Sequence, residues 1–312
     1  LEGMFLLATK LYGLQFTLDT NVAVYHEEVM CYRVTDADDN YTATLYVDLY
    51  PRASKNQGAW MTTWKTQHVH NEVDQRPIIS MVCNFTPKND KGYAFFTFDE
   101  VETLFHEFGH ALHAACSKVT YGSLASPNVY WDFVELPSQI MENFLQERKV
   151  LDLFAQHNET GQAIDAALLE KIQKRSQFQT GLQGLRQLSL ARLDMAWHSV
   201  SEPCKDVLAF EEAILSEYRM VEPVPYTSMS TQFSHIFAGG YAAGYYSYKW
   251  AEVLDADAFS YFKKHGVLNA AIAKSFRDII LALGNTVDPY VLYQRFRKAP
   301  PTSKALFERE GI

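Results

Sequence analysis

The motif HEFGH at residues 106–110 constrains the fold more than any other part of this 312-residue sequence. Its two histidines, His106 and His110, can serve one metal ion only on an α-helix, where residues four apart lie one above the other. Thr97 and Glu100 precede the motif with the spacing of a capping box, in which each side chain bonds the other residue's backbone N–H. The sequence therefore predicts a helix that begins near Thr97 and carries both imidazoles on one face.

This histidine spacing suits Zn²⁺, which takes imidazole nitrogen at about 2.0–2.1 Å. Glu107 follows the first histidine and can act as a general base on a water molecule at the metal. A hydrolytic zinc ion also needs a third protein ligand and one open position. His113 shares the helix face but lies about 4.5 Å beyond His110 along the axis. We therefore expect His113 to pack or hydrogen-bond near the site, with direct ligation as the lesser alternative.

A carboxylate from a second helix is the better third ligand. Residues 117–130 hold the Gly, Ser, Pro and Asn of a connecting loop, and a helical pattern follows them. In that helix Glu135, Gln139 and Glu142 recur at i, i+4 and i+7 and form one polar stripe. Such a stripe is most often a solvated face. Its position after an HExxH helix and a loop makes it a candidate for the third ligand.

The segment FSHIFAGGYAAGYYSYKW, residues 233–250, joins a glycine-rich turn to a helix start dense in tyrosine. Tyrosine phenols donate hydrogen bonds without a fixed charge, which suits the stabilisation of a developing oxyanion. Taken alone, however, the pattern favours amphipathic residues at the edge of a core.

Composition and charge exclude several classes of protein. The chain is 47% hydrophobic and 21% charged, as in globular domains, and no apolar run approaches the roughly 18 residues of a membrane span. The net charge of −9 is scattered, which argues against nucleic acid as a partner. The four cysteines are widely spaced and form no CxxC pair, so reduced, buried thiols and a cytoplasmic setting are expected. They are Cys31, Cys83, Cys116 and Cys204.

The remaining patterns predict an α+β fold in which helices dominate. A helix and a linker are expected over 1–25, a β-hairpin over 30–50 and a strand over 78–85. His68 and His70 are interpreted as part of a surface loop. Further helices are expected at about 133–156, 163–199, 207–218, 242–264, 268–283 and 288–297.

HEFGHALH followed by DFVELPSQIMEN closely resembles the thimet oligopeptidase family, most of all its bacterial oligopeptidase A branch. The segments YVDLYPRASKNQGAW and LYQRFRKAPPTSKALFEREGI resemble it as well. The resemblance implies a predominantly helical, zincin-type metallopeptidase catalytic domain with a small β-sheet and an HExxH active-site helix. It implies one zinc ion with His106, His110 and Glu135 as ligands and Glu107 as catalytic base. Glu142 would orient a ligand histidine.

The same resemblance assigns substrate-binding and transition-state tyrosines to the GGY…Y segment. They correspond to Tyr241 and Tyr248 in this sequence. Tyr245 is a neighbouring candidate, and His235 is an additional donor.

The resemblance further implies a zinc-dependent peptidase that hydrolyses short oligopeptides, with no nucleic-acid or membrane partner. Its alternatives are a dipeptidyl carboxypeptidase of the same family, a truncated zinc-binding fragment without turnover, and a non-enzymatic peptide-binding scaffold. Family members are about twice this long. Residues 1–312 are therefore expected to be the catalytic domain, as a C-terminal fragment whose missing N-terminal helical half would complete the substrate channel.

Overall fold

The computed structural model describes residues 1–312. Its helices, numbered in chain order, are α1 (Glu2–Tyr12), α2 (Phe98–Cys116), α3 (Trp131–Val134), α4 (Leu136–Asn143), α5 (Arg148–Leu151), α6 (Ala166–Ser176), α7 (Thr180–Trp197), α8 (Val207–Leu215), α9 (Ser234–Phe237), α10 (Ser247–His265), α11 (Ala270–Phe276), α12 (Pro289–Arg297) and α13 (Lys304–Glu310). Its strands are β1 (Gln15–Leu18), β2 (Met30–Thr35), β3 (Tyr41–Asp48), β4 (Trp60–Lys65), β5 (His68–His70), β6 (Val73–Gln75) and β7 (Ile78–Val82). The predicted mixture of many helices with a small sheet is confirmed.

Five strands form one sheet in the order β1-β2-β3-β7-β4. β2 and β3 are the predicted antiparallel hairpin, and β3 pairs with β7 in parallel. β4 pairs antiparallel with β7 and is an edge strand of the sheet. β5 and β6 form a separate two-stranded ribbon.

Helix α2 begins as predicted at a complete capping box. The Thr97 N–H donates to the Glu100 carboxylate at 2.7 Å, and the Glu100 N–H donates to the Thr97 hydroxyl at 3.2 Å. These bonds satisfy two of the backbone donors that a helix start leaves free. They fix the register in which the HEFGH motif lies along the helix.

Helices α2 and α4 approach each other closely at Gly109. A Cβ atom at that position would lie 2.2 Å from the Pro137 carbonyl oxygen and 2.5 Å from the Ser138 Cα. Glycine is therefore needed there, and its absence of a side chain lets the two helix backbones pack together. Both helices belong to a hydrophobic core of 46 buried residues that also includes residues of α1, α10 and the sheet.

Two long predicted helices are divided in the structure. The helix expected at 133–156 is interrupted at Glu135, where α3 ends and α4 begins. Pro137 lacks the backbone N–H that would continue the hydrogen bonds of α3, so the chain starts a new helix instead. The helix expected at 163–199 is divided between α6 and α7, where Gln179 has a positive φ of 57°.

Several elements were not predicted from the sequence, namely β1, β4, α9, α13 and the β5–β6 ribbon. The interpretation of His68 and His70 as surface loop was wrong in part, since both lie in β5, although His70 is exposed. All four cysteines are free, and three of them are buried. No helix in the structure combines the length and apolar character needed to cross a bilayer.

Candidate metal centre and active site

Three side chains from two packed helical segments converge on one point. His106 and His110 project from α2, and Glu135 lies at the junction of α3 and α4, where it is only 1% exposed. The Nε2 atoms of His106 and His110 lie 3.2 Å and 3.1 Å from the Glu135 Oε2. The structure thus brings together the three residues that the sequence resemblance named as ligands, and they form its one group of three candidate metal ligands.

These distances fit a single tetrahedral ion. Two ligand atoms that each lie 2.0–2.1 Å from a tetrahedral zinc ion are separated by about 3.3 Å. The two imidazole-to-carboxylate separations are close to that value. Two imidazole nitrogens with one carboxylate oxygen are also a donor set that hydrolytic zinc sites use.

The two carboxylates that face the ring nitrogens of His106 also favour a bound metal ion. Its Nδ1 lies 2.6 Å from the Glu142 Oε1, while its Nε2 faces Glu135. Hydrogen bonds to both carboxylates would require a doubly protonated ring. Burial opposes that charged form, yet bonding to Glu135 and Glu142 holds the pKa of His106 well above its ordinary value. A metal ion on Nε2 would replace one proton and leave Nδ1–H for Glu142, the usual arrangement of a ligating histidine.

Glu107 lies beside this group. Its side chain is 5% exposed, and its buried Oε2 atom has no hydrogen-bond partner in the protein. Burial raises the pKa of the Glu107 carboxyl. Because Glu107 lines the same cavity of about 650 Å³ as the three candidate ligands, its carboxylate has the position of a proton acceptor.

Two tyrosines line the same cavity. The Tyr241 phenol donates to the Glu135 Oε1 at 2.7 Å, and its ring stacks on that of Tyr248 with centroids 5.1 Å apart. The Gln139 amide donates to the Tyr248 backbone carbonyl at 3.2 Å, which joins α4 to this segment. Burial raises the pKa of both phenols, so both remain protonated donors at neutral pH.

His235 and Tyr245 lie further from the candidate ligands. His235 is exposed and lines the cavity, with its ring centroid 6.1 Å from that of Tyr241. Tyr245 packs 5.2 Å from Tyr248, ring to ring, but it lines a neighbouring cavity. The structure therefore places His235 where the two cavities meet and Tyr245 beyond it.

Comparison with known proteins shows the family to which the chain belongs. The model of the family described as "Peptidase family M3" matches residues 1–312. The chain belongs to peptidase family M3. Over its whole length it is 39% identical to oligopeptidase A of Escherichia coli and 38% identical to dipeptidyl carboxypeptidase of Salmonella typhimurium, covering 46% of each protein. It thus spans about half the length of the curated relatives that it matches.

A solved structure shares the fold of this M3 chain. The carboxypeptidase of Pyrococcus furiosus superimposes with a TM-score of 0.55 at 16% sequence identity. The match covers 86% of this chain and 53% of that one. At this identity the likeness concerns the fold alone.

One residue of the M3 chain that supports the site was missed from the sequence. Asp194 of α7 is fully buried and accepts hydrogen bonds from the backbone N–H groups of Ala243 and Tyr245, each at 2.9 Å. Its carboxylate also lies 2.8 Å from the His198 Nδ1. Asp194 thereby fixes the tyrosine loop, residues 238–246, although it lies 49 residues from Ala243 in sequence. The only sign of this role in the sequence was a single acidic residue next to the apolar Leu193.

Ser138 was also missed. Its hydroxyl donates to the Glu135 Oε2 at 2.8 Å, so both oxygens of Glu135 have a protein donor. His113, by contrast, is completely buried, has no partner for either ring nitrogen and lies outside the candidate ligand group. Burial lowers its pKa to about 3, which keeps the ring neutral and agrees with a packing role.

Proposed function

We propose that this chain is the zincin-type catalytic domain of a zinc-dependent M3 peptidase that hydrolyses peptide bonds in short oligopeptides. The observation that supports it most is the convergence of His106, His110 and Glu135 beside Glu107, within one cavity. Membership of the peptidase family supports the same reaction class.

His106, His110 and Glu135 would hold the zinc ion, and Glu142 would orient His106 through its Nδ1–H. When bound, zinc supplies Lewis-acid activation of water and of the scissile carbonyl. Ser138 and Tyr241 hold the Glu135 carboxylate in the orientation that ligation requires. The chain therefore supplies both the ligands and the groups that fix them.

Glu107 would act as general base and then as general acid. Its carboxylate accepts the proton of the attacking water and later passes it to the leaving amine. Burial raises the pKa of Glu107, which makes it a better proton acceptor than an exposed carboxylate. No covalent intermediate with the protein is required.

Tyr248 and Tyr241 would stabilise the carbonyl oxygen as negative charge develops on it. Both line the cavity that holds Glu107 and the candidate ligands, and neither brings a fixed charge. The Tyr241 phenol already donates to Glu135, so Tyr248 is the freer donor. His235, at the same cavity, is an additional donor in this proposal.

The peptide backbone would lie against β4. This strand is at the edge of the sheet, and Trp60 and Met61 at its start line the same cavity as Glu107. An edge strand offers a row of free backbone donors and acceptors that an extended peptide can pair with. Such pairing involves only backbone groups and does not depend on the amino-acid sequence of the peptide. The cleavage of varied oligopeptides requires this independence.

A dipeptidyl carboxypeptidase is the second candidate, because relatives of both kinds match this chain almost equally well. Since the chain spans about half of those relatives, we propose that it is the C-terminal part of a longer protein whose other half completes the substrate channel. Turnover by this chain alone is then a separate question. A cytoplasmic location stays a prediction.

The test is to measure zinc content and cleavage of a quenched fluorescent octapeptide for the parent chain and Glu107→Gln. The variant should keep one zinc per chain and lose nearly all cleavage, because the proton acceptor is gone while the ligands remain. Glu170→Gln, at an exposed glutamate of α6, is the matched control and should change neither value. Unchanged turnover in Glu107→Gln would reject the assignment, and zinc binding without turnover by the parent would favour the inactive fragment.

A further inference from the structure

A second cavity adjoins the one that holds the candidate zinc ligands. It has a volume of about 940 Å³ and lies between α7, α8 and residues 223–234. His235 lines both cavities, and Tyr245 lines the second. A peptide that passes His235 would therefore enter this second cavity directly from the proposed cleavage site.

The charged groups of the second cavity leave one cation unpaired. Arg219 pairs with Glu212 through both of its terminal nitrogens. Glu211 accepts one hydroxyl and two backbone N–H hydrogen bonds from residues 228–230, at 2.7–2.9 Å. Arg186 has neither an ion pair nor a side-chain hydrogen bond, although its side chain lines the cavity. The cavity thus presents one free guanidinium.

The position of Arg186 relative to the proposed catalytic residues is set by α7. Arg186, Leu190 and Asp194 lie on one face of this helix at i, i+4 and i+8, so Arg186 is about 12 Å along the axis from Asp194. Asp194 binds the backbone of Tyr245. Tyr245 and Arg186 line the same cavity. The distance between the Arg186 guanidinium and the tyrosine loop is therefore set by one helix, α7.

We propose that this second cavity binds the C-terminal end of the peptide substrate, with Arg186 binding the terminal carboxylate. A planar guanidinium matches a carboxylate through two parallel hydrogen bonds. Leu190, Met229 and Phe233 line the same cavity and offer apolar contact to the last side chain. A peptide N-terminus carries positive charge and would be repelled, so Arg186 also sets the direction in which the peptide binds. This inference rests on the proposed peptidase function.

The experiment measures binding in the zinc-loaded Glu107→Gln chain, so that the probe is not cleaved. The probe is an N-terminally fluorescein-labelled heptapeptide of neutral side chains, prepared as the C-terminal acid and as the C-terminal amide. We expect the acid to bind about 10-fold more tightly, as one charge-assisted pair at an exposed site provides. Adding Arg186→Gln should reduce the acid-to-amide ratio to about 1, and Arg186→Lys should leave an intermediate ratio. Arg192→Gln, at an exposed arginine of α7 that does not line the cavity, is the matched control and should keep the 10-fold preference.

Equal affinity of the two probes for the Glu107→Gln chain, or absence of binding by both, would overturn the inference. So would an equal loss of acid and amide binding in Arg186→Gln, because that result indicates a structural role. Cleavage of the octapeptide by the parent together with equal probe affinities would leave the peptidase function standing without the carboxylate site. An acid preference that depends on Arg186, in a parent that binds zinc but cleaves nothing, would favour the inactive fragment and keep the site.

Discussion

The two sides of the candidate active site are held in different ways. The ligand side, α2 with the α3–α4 junction, is packed into the 46-residue core. The tyrosine side, residues 233–250, contributes Phe233 and Ile236 to a satellite cluster of four buried residues and is fixed to α7 by the single carboxylate of Asp194. Metal binding therefore depends on tight apolar packing, whereas the tyrosines that would donate hydrogen bonds to the substrate depend on a few polar contacts. Changes on the two sides should therefore have separable effects.

The largest effect is expected from removing a ligand on the packed side. Glu135→Ala should lower zinc affinity by more than the roughly 10–100-fold that loss of a supporting contact causes, because a direct ligand disappears. The tyrosine loop should keep its conformation, since Asp194 still binds it. Zinc content after dialysis against a weak chelator measures the effect, with Glu170→Gln as control. Zinc retention in Glu135→Ala would contradict the proposed ligand set.

On the tyrosine side the effect should fall on turnover and leave zinc content unchanged. Tyr248→Phe should lower kcat by about 100-fold, as removal of one oxyanion donor does. Tyr246→Phe is the matched control, because Tyr246 is exposed and does not line the cavity; its kcat should not change. A loss of zinc that parallels the loss of activity in Tyr248→Phe would show that the two sides are not separable.

A pair of glycine substitutions compares the packing of the ligand side with that of α7, the helix to which the tyrosine side is fixed. Gly109→Ala would place a methyl group against the α4 backbone and should destabilise the chain by about 1–3 kcal/mol. Gly184→Ala, in α7, meets nothing within 4 Å and should stabilise it by about 0.5–1 kcal/mol through helix propensity. Urea unfolding followed by circular dichroism measures both. Equal effects of the two substitutions would mean that the close contact of α2 with α4 does not support the fold.

The sequence predicted the parts of the fold that local patterns determine. The capping box of α2, the β2–β3 hairpin and β7 were recognised because spacing within one segment defines them. Strand β4 was missed because it is half-exposed and its register depends on pairing with β7. The break at Glu135 was missed because the helical pattern of residues alone does not show that a new helix starts at Leu136, with Pro137 in its first turn.

The residues of the candidate site also divide into those that local spacing predicts and those that depend on tertiary packing. The i, i+4 spacing of His106 and His110 follows from helix geometry, so the residues alone predicted it. The pairing of Glu135 with those rings depends on how α4 packs on α2, and only the family resemblance named it. Asp194 could not be found by either route, because the backbone groups that it binds belong to a loop folded against α7 from elsewhere in the chain. The catalytic roles of all these residues stay predictions.

The smallest of the expected effects on zinc binding or activity tests the polar anchor of the tyrosine side. Asp194→Asn keeps the size of the side chain but offers one oxygen where two now accept the N–H groups of Ala243 and Tyr245. One buried N–H would then face an amide NH₂, at a cost of about 1–3 kcal/mol that the loop can avoid by moving. Since Tyr241 belongs to this loop and Tyr248 follows it at the start of α10, kcat/KM should fall by about 10-fold while zinc content is unchanged.

Asp38→Asn is the control for that substitution, because Asp38 is exposed in the β2–β3 turn and should tolerate the change without effect. If Asp194→Asn cleaves peptides as well as the parent does, other contacts fix the loop. The Gln139 amide, which donates to the Tyr248 carbonyl from α4, is the next candidate. In that case the tyrosine side would be held by the same helix that supports Glu135, and the two sides of the site would share one framework.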